Sequence, residues 1–149
     1  MLKQKLRDEL KQSMLARNEL KTSVLRMLLS AINYYEIQKG GAGYEATDED
    51  VLTVIQKEAK QRRDSIEEFK KAERIELADK ETKELEMLQV YLPAQMSEEE
   101  IKSLVKEAAN QTGAKTVAEM GKVMAVLMPK VKGKADGGLV SKIVRESLS

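Results

Sequence analysis

The chain has 149 residues, 42% of them apolar and 34% charged, a balance too apolar for a disordered chain and too charged for a membrane protein. Twenty-six basic side chains against twenty-five acidic ones leave a net charge of +1, so no global field draws the molecule onto nucleic acid or lipid, and any polyanion site must be a local patch. Cysteine and histidine are both absent, which removes disulfides, thiolate and imidazole metal ligands, and the Ser-His and Cys-His hydrolases.

The start, Met1-Leu2-Lys3-Gln4-Lys5-Leu6-Arg7-Asp8, carries charges every two or three residues and no apolar run of secretory length; its acidic residue argues against a transit peptide, so cytoplasmic residence is expected. The longest apolar stretch, Val123 to Met128, falls far short of the roughly 20 residues that span a bilayer, and no membrane partner is expected. Two prolines, eight glycines and an abundance of Leu, Lys, Glu, Ala, Met and Gln favour helix almost throughout.

Leu2, Leu6, Leu10 and Met14 form one stripe of a first helix that should stop near Asn18. Leu20, Val24, Met27, Leu28, Ala31, Ile32 and Tyr35 follow the pattern of a core-facing second helix, ended by Lys39-Gly40-Gly41-Ala42-Gly43. Thr47 followed by Asp50 predicts a capped start for the third, which buries Val51, Leu52, Ile55, Ala59, Ile66 and Phe69. A fourth carries Leu77, Ala78, Leu85 and Leu88. The turn between them, at Ala72-Glu73-Arg74, holds no strong breaker and is inferred because one helix of more than about 40 residues would be unusual here. Glu67/Lys71, Glu76/Lys80 and Asp79/Lys83 add i, i+4 pairs on the exposed faces.

Pro93 biases Leu92 away from helical geometry, and Ser97 with Glu100 forms a fresh capping box, so a domain boundary is placed here. Ile101, Leu104, Val105, Ala108 and Ala109 make a fifth helix closed by Gly113. Thr116 is expected to cap a sixth, with the stripe Val117, Met120, Val123, Met124 and Leu127 and a stop at Pro129. Asp136 caps the seventh, burying Leu139, Val140, Ile143, Val144 and Leu148. The expected fold is all-α: a four-helix unit over 1–92 and a small three-helix domain over 97–149, near the lower size limit for independent stability.

Charge is uneven. Residues 1–92 have net charge −1 and residues 93–149 net +2; from Met120 to Arg145 six cations, Lys122, Lys130, Lys132, Lys134, Lys142 and Arg145, meet one anion, Asp136. The segment Pro129-Lys130-Val131-Lys132-Gly133-Lys134-Ala135-Asp136-Gly137-Gly138 puts alternating lysines in a loop that leads into a helix N-terminus, where ammonium groups and backbone N–H groups together suit phosphate. Asp136 as the cap would satisfy one N–H and repel an anion. Alternatively, the segment is a solvated connection whose lysines only aid solubility. Tyr34, Tyr35, Tyr44, Phe69 and Tyr91 all precede the boundary, so a basic patch without aromatic stacking should track the backbone of a folded RNA rather than grip single-stranded bases.

Other matches carry little. Lys60-Gln61-Arg62-Arg63 sits among Glu58, Asp64, Glu67 and Glu68 and reads as a salt-bridged face. Ser103 and Lys106 match Ser-x-x-Lys on a polar helix face with no pocket for a lysine base. Gly40-Gly41-Ala42-Gly43 lacks the Gly-Lys-Ser/Thr of a P-loop. Gly121 is expected to let two helices pack closely, and the eight methionines to fill core gaps. No catalytic residue, metal ligand or cofactor site is identified.

Met120-Gly121-Lys122-Val123-Met124, continuing through Leu127-Met128-Pro129-Lys130-Val131-Lys132-Gly133-Lys134-Ala135-Asp136 to Leu139-Val140, resembles the YqeY family (GatB/YqeY). So do Val24-Leu25-Arg26-Met27, Lys57-Glu58-Ala59-Lys60-Gln61-Arg62-Arg63-Asp64-Ser65, and Tyr91-Leu92-Pro93 with Gln95 and Met96; the family often has Gly where this chain has Glu73. The part from about residue 97 is similar to the tail domain of GatB in the glutamine-dependent aspartyl/glutamyl-tRNA amidotransferase, the piece of that enzyme that holds tRNA. The resemblance implies a role in translation and an RNA-contact function for Lys122, Lys130, Lys132, Gly133, Lys134 and Lys142. Among protein partners it points to the amidotransferase or a tRNA synthetase. Carbon–nitrogen ligase activity with glutamine as amide donor is associated with the family. The chain, however, shows neither a phosphate-binding motif for ATP nor an amidase nucleophile, so a non-catalytic tRNA- or structured-RNA-binding module is expected. The alternatives are a component of a ligase and a helical protein–protein adaptor.

Overall fold

The computed structural model describes all 149 residues, as seven α-helices and one 3-10 turn with no strand. The chain separates into two compact units, Met1–Leu92 and Pro93–Ser149. No helix is long and apolar enough to cross a membrane.

The first unit contains α1 (Leu2–Leu15), α2 (Glu19–Gly40), α3 (Asp48–Lys71) and α4 (Ile75–Gln89). Asn18 starts α2 by accepting the Lys21 N–H, and Thr47 with Asp50 closes a reciprocal capping box at α3. Such caps satisfy amides that the helix itself leaves open. Gly40 is required at the end of α2, because a Cβ there would lie 2.7 Å from the Cβ of Tyr44. Leu6, Val24, Leu25, Leu28, Ile32, Val51, Ile55 and Leu88 form the core. The expected stripes are partly rotated: Met14 and Met27 are 49% and 41% exposed, while Leu25 and Val54 are buried. Periodicity locates an apolar face but not which edge of it the neighbouring helices cover.

Three polar networks thread this core. Lys3 Nζ lies 2.6 Å from Glu36 Oε1, which also accepts the Ala46 N–H at 2.8 Å. Burial pushes the Glu36 carboxyl up, but the Lys3 bond and the Ala46 amide outweigh it and hold it below its ordinary value. Asp50 accepts from Lys39 Nζ (2.7 Å), the hydroxyls of Tyr44 (2.5 Å) and Tyr35 (3.0 Å), and the Thr47 N–H (3.0 Å). The Lys39 bond, then the Tyr44 bond, hold its carboxyl far below the usual carboxylate range. Asp50 in turn pushes the Lys39 ammonium and the Tyr44 phenol upward. The α2–α3 connection is thereby tied to the start of α3.

The third network forms the salt-bridged face expected at Lys60-Gln61-Arg62-Arg63, but places its centre in the interior. Arg62 is buried; its guanidinium lies 3.2 Å from Glu58 and 3.4 Å from Glu84 on α4, and Nη2 reaches the Met27 sulfur. The ion pairing was legible; its burial was not. The α3–α4 turn falls where expected, with Glu73 at φ +58°, a left-handed conformation that costs a residue with a Cβ roughly 1–2 kcal/mol.

The second unit contains α5 (Glu98–Thr112), a 3-10 turn (Val117–Glu119), α6 (Met120–Val131) and α7 (Gly137–Leu148). The Ser97–Glu100 capping box forms, and α5 closes at Gly113 with φ +71°. Ile101, Val105, Val123, Leu127, Val131, Val140, Ile143 and Val144 are the centre of its core. Three expectations are corrected. Thr116 makes no capping bond to the backbone and opens the 3-10 turn, so Val117 is 40% exposed. Pro129 does not stop α6, which runs on to Val131. Only a short stretch of helix follows Pro129, and burial of Val131 at 1% exposure offsets the proline's missing N–H. Gly121 mediates no close packing, because a Cβ there would meet nothing within 4 Å. Of the eight methionines none is fully buried, and Met1, Met14, Met27 and Met128 are exposed.

Candidate nucleic-acid interface

The connection from α6 to α7 is short and built in steps. Buried Val131 anchors it, and the Val131 carbonyl accepts from the N–H groups of both Lys134 (2.9 Å) and Ala135 (3.1 Å). Lys132 leaves helical geometry at φ −56°, ψ 123°. Gly133 then takes φ +81°, a conformation that glycine adopts without the Cβ penalty. Asp136 ends the loop by capping α7, its Oδ1 accepting the Gly138 N–H at 3.4 Å.

Lys130, Lys132, Gly133 and Lys134 therefore lie within five residues at one end of the α6–α7 pair, with all three lysines exposed. Lys122 stands in the first turn of α6, eight residues from Lys130 and so ~12 Å along the axis. Lys142 lies in the second turn of α7. Both are exposed, but neither belongs to the loop itself. Lys122, Lys130, Lys134 and Lys142 take part in no ion pair; the pairs Lys3–Glu36, Lys39–Asp50, Arg62–Glu58 and Arg62–Glu84 all belong to the first unit. Above Gly137 the space is open, with no atom within 4 Å of a Cβ position, so another backbone can approach. The N–H of Gly138 is already taken by Asp136, so the patch offers ammonium groups rather than a bare helix terminus.

The sequence reading missed what holds this loop. The Met96 N–H donates to the Lys134 carbonyl at 2.8 Å. Gln95 Nε2 donates to the carbonyls of Pro93 (2.9 Å) and Gly133 (3.3 Å). The segment before α5 thus braces the lysine loop from 38 residues away in sequence. The only hint was that Gln95 and Met96 fell among the residues that carry the family resemblance. No group of three or more acidic side chains in either unit is placed to hold a metal ion.

A small all-helical protein with an exposed, braced lysine loop is the class that fold and site define. The chain belongs to the Yqey-like protein family, whose profile matches residues 3–148. An uncharacterized protein of Schizosaccharomyces pombe is 38% identical over 92 residues, covering 62% of this chain and 72% of that protein. Altered inheritance of mitochondria protein 41 of Clavispora lusitaniae is 38% identical over 112 residues, covering 73% of this chain and 63% of its own length. The protein of the same name in Pyrenophora tritici-repentis is 34% identical over 149 residues, covering 95% and 78%. Against the Clavispora relative the chain thus spans a little under two thirds. The names of these last two proteins place them in mitochondria, a compartment other than the cytoplasm expected from this chain's first residues.

Proposed function

We propose that the second unit binds the sugar-phosphate surface of a folded RNA, tRNA first among them, without catalysing a reaction itself. The observation that carries this reading is the braced α6–α7 connection, which presents Lys130, Lys132 and Lys134 to solvent on a fixed backbone. Lys122 and Lys142 extend the cationic surface along the two flanking helices. Backbone bracing lowers the entropy lost when the loop meets a ligand, and the absence of aromatic side chains from this unit suits contact with phosphates rather than with unstacked bases. The resemblance to the GatB tail domain of the amidotransferase supports the same assignment. In a tRNA-dependent amidation, this chain would supply the grip, while ATP use and ammonia release would fall to a partner enzyme.

Changing Lys132→Glu and Lys134→Glu together is expected to weaken tRNA binding by roughly tenfold or more, with a log affinity against log salt slope equivalent to about three to five phosphates for the unaltered protein. Equal affinity of the two proteins at matched salt, with helical circular dichroism unchanged, would overturn the reading. The purified chain alone is expected to show no glutamine-dependent amidation of misacylated tRNA.

A further inference from the structure

A cavity of about 150 Å³ opens on the first unit between α2 and the end of α4, lined by Lys21, Val24, Leu25, Met87, Val90 and Tyr91. Val24 and Leu25 are core residues at 2% and 1% exposure and close its floor. Tyr91 is a fixed wall, because its hydroxyl donates to the Glu9 carboxylate. Met87 contributes an adaptable thioether. Val90, by contrast, is 78% exposed at the lip, a bulky apolar side chain left in water beside an apolar hole.

Lys21 sets the charge of the site. Its backbone is held by the Asn18 cap at 3.1 Å, and its ammonium takes part in no ion pair. It lies in the first turn of α2 and is the one charged residue among those that line the cavity. The volume decides the kind of occupant. Small-molecule sites usually enclose about 300–1,000 Å³, whereas this cavity holds one leucine- or phenylalanine-sized side chain. A single buried anchor, with further contacts spread over an exposed lip, is the mode of a docked peptide.

We propose that the cavity between α2 and α4 receives one bulky apolar side chain of an acidic partner peptide, with Lys21 pairing a carboxylate next to that anchor and Val90 covered by the peptide backbone. The inference is independent of RNA binding by the second unit.

The test uses the full chain, methyl-labelled, titrated with the peptide acetyl-Glu-Asp-Leu-Asp-Glu-amide and followed by methyl resonances. Saturable shifts confined to Val24, Leu25, Met87 and Val90 are expected. Replacing the leucine of the peptide by alanine should weaken binding by roughly tenfold or more, from the lost apolar burial. Lys21→Glu should weaken it several-fold at low salt, and Val90→Asp, at an exposed position that leaves the core intact, should do so too. Absence of shifts up to about 10 mM peptide, the range of the weakest specific contacts, would overturn the proposal. Equal binding of the alanine peptide would do the same. So would 4-methylpentanoate binding as tightly as the peptide, which would make the cavity a site for free carboxylic acids.

Discussion

In the first unit six polar or charged side chains, Lys3, Ser13, Glu36, Asp50, Arg62 and Glu84, are buried; in the second every buried residue is apolar and the lysines stand at the surface. The two halves thus use charge differently. In the first, charges tie helices together: Lys3 joins α1 to α2, Asp50 joins α2 to α3, and Arg62 joins α3 to α4. A slipped register would leave a buried charge without its partner, which costs far more than an imperfect apolar contact. In the second unit an all-apolar core holds the three helices, and Lys122, Lys130, Lys134 and Lys142 stand exposed without a carboxylate partner.

The contrast is broken most directly by one truncation in each half. Arg62→Ala leaves Glu84 and Glu58 without their cation and is expected to destabilise the first unit by about 3–5 kcal/mol. Urea unfolding followed by tyrosine fluorescence checks it, because all four tyrosines lie before the boundary. Replacing Arg62→Met together with Glu84→Leu and Glu58→Gln should recover most of that loss, since neither carboxylate is then left without its cation. Leu127→Ala, at 0% exposure, should cost about 2–5 kcal/mol. That loss should appear in helical circular dichroism and leave the tyrosine transition where it was. A shift of the tyrosine transition by Leu127→Ala as large as that from Arg62→Ala would show that the two halves do not unfold separately.

Acid sharpens the same comparison. Glu36 and Asp50 have folded-state carboxyls held below their ordinary values, so the stability they add is fully present above the ordinary carboxylate range, begins to be lost below it, and is gone once pH has fallen through the lowered folded-state values. From pH 4.5 downward, the ordinary value of Glu36, the tyrosine-reported midpoint is expected to fall more steeply than that of the second unit, which buries no carboxylate. In base the sign reverses. Burial and the Glu9 bond push the Tyr91 phenol upward, so its contribution is present at neutral pH and lost as pH rises beyond 10, the ordinary tyrosine value. The smallest effect is expected at the α3–α4 turn. Glu73→Gly relieves the left-handed strain at φ +58° and should raise the stability of the first unit by about 1 kcal/mol, with RNA affinity unchanged.

How much of this was legible can be read from particular residues. Asn18, Thr47, Ser97, Gly113 and Asp136 mark helix ends in the structure at or beside the positions expected from their side-chain chemistry. Thr116 and Pro129 misled, because the former opens a 3-10 turn and the latter is overruled by the burial of Val131. At the candidate interface the lysines and glycines were visible as a pattern. The brace from Gln95 and Met96 was not, since a backbone N–H bonding a distant carbonyl leaves almost no trace in residue type.

The amino-acid sequence by itself determined the seven helices, their all-α class and most of their ends, because capping and apolar periodicity act between residues three or four apart. Only the tertiary structure decided which lysines and arginines are interior and which face water. Lys3 is buried because Glu36 meets it from 33 residues away, and Arg62 because Glu84 approaches from the next helix. Lys130 and Lys134 meet no such carboxylate and stay exposed. The cost of removing a charge from water is met only when folding delivers its partner, and that delivery belongs to the packing of helices rather than to any local run of residues.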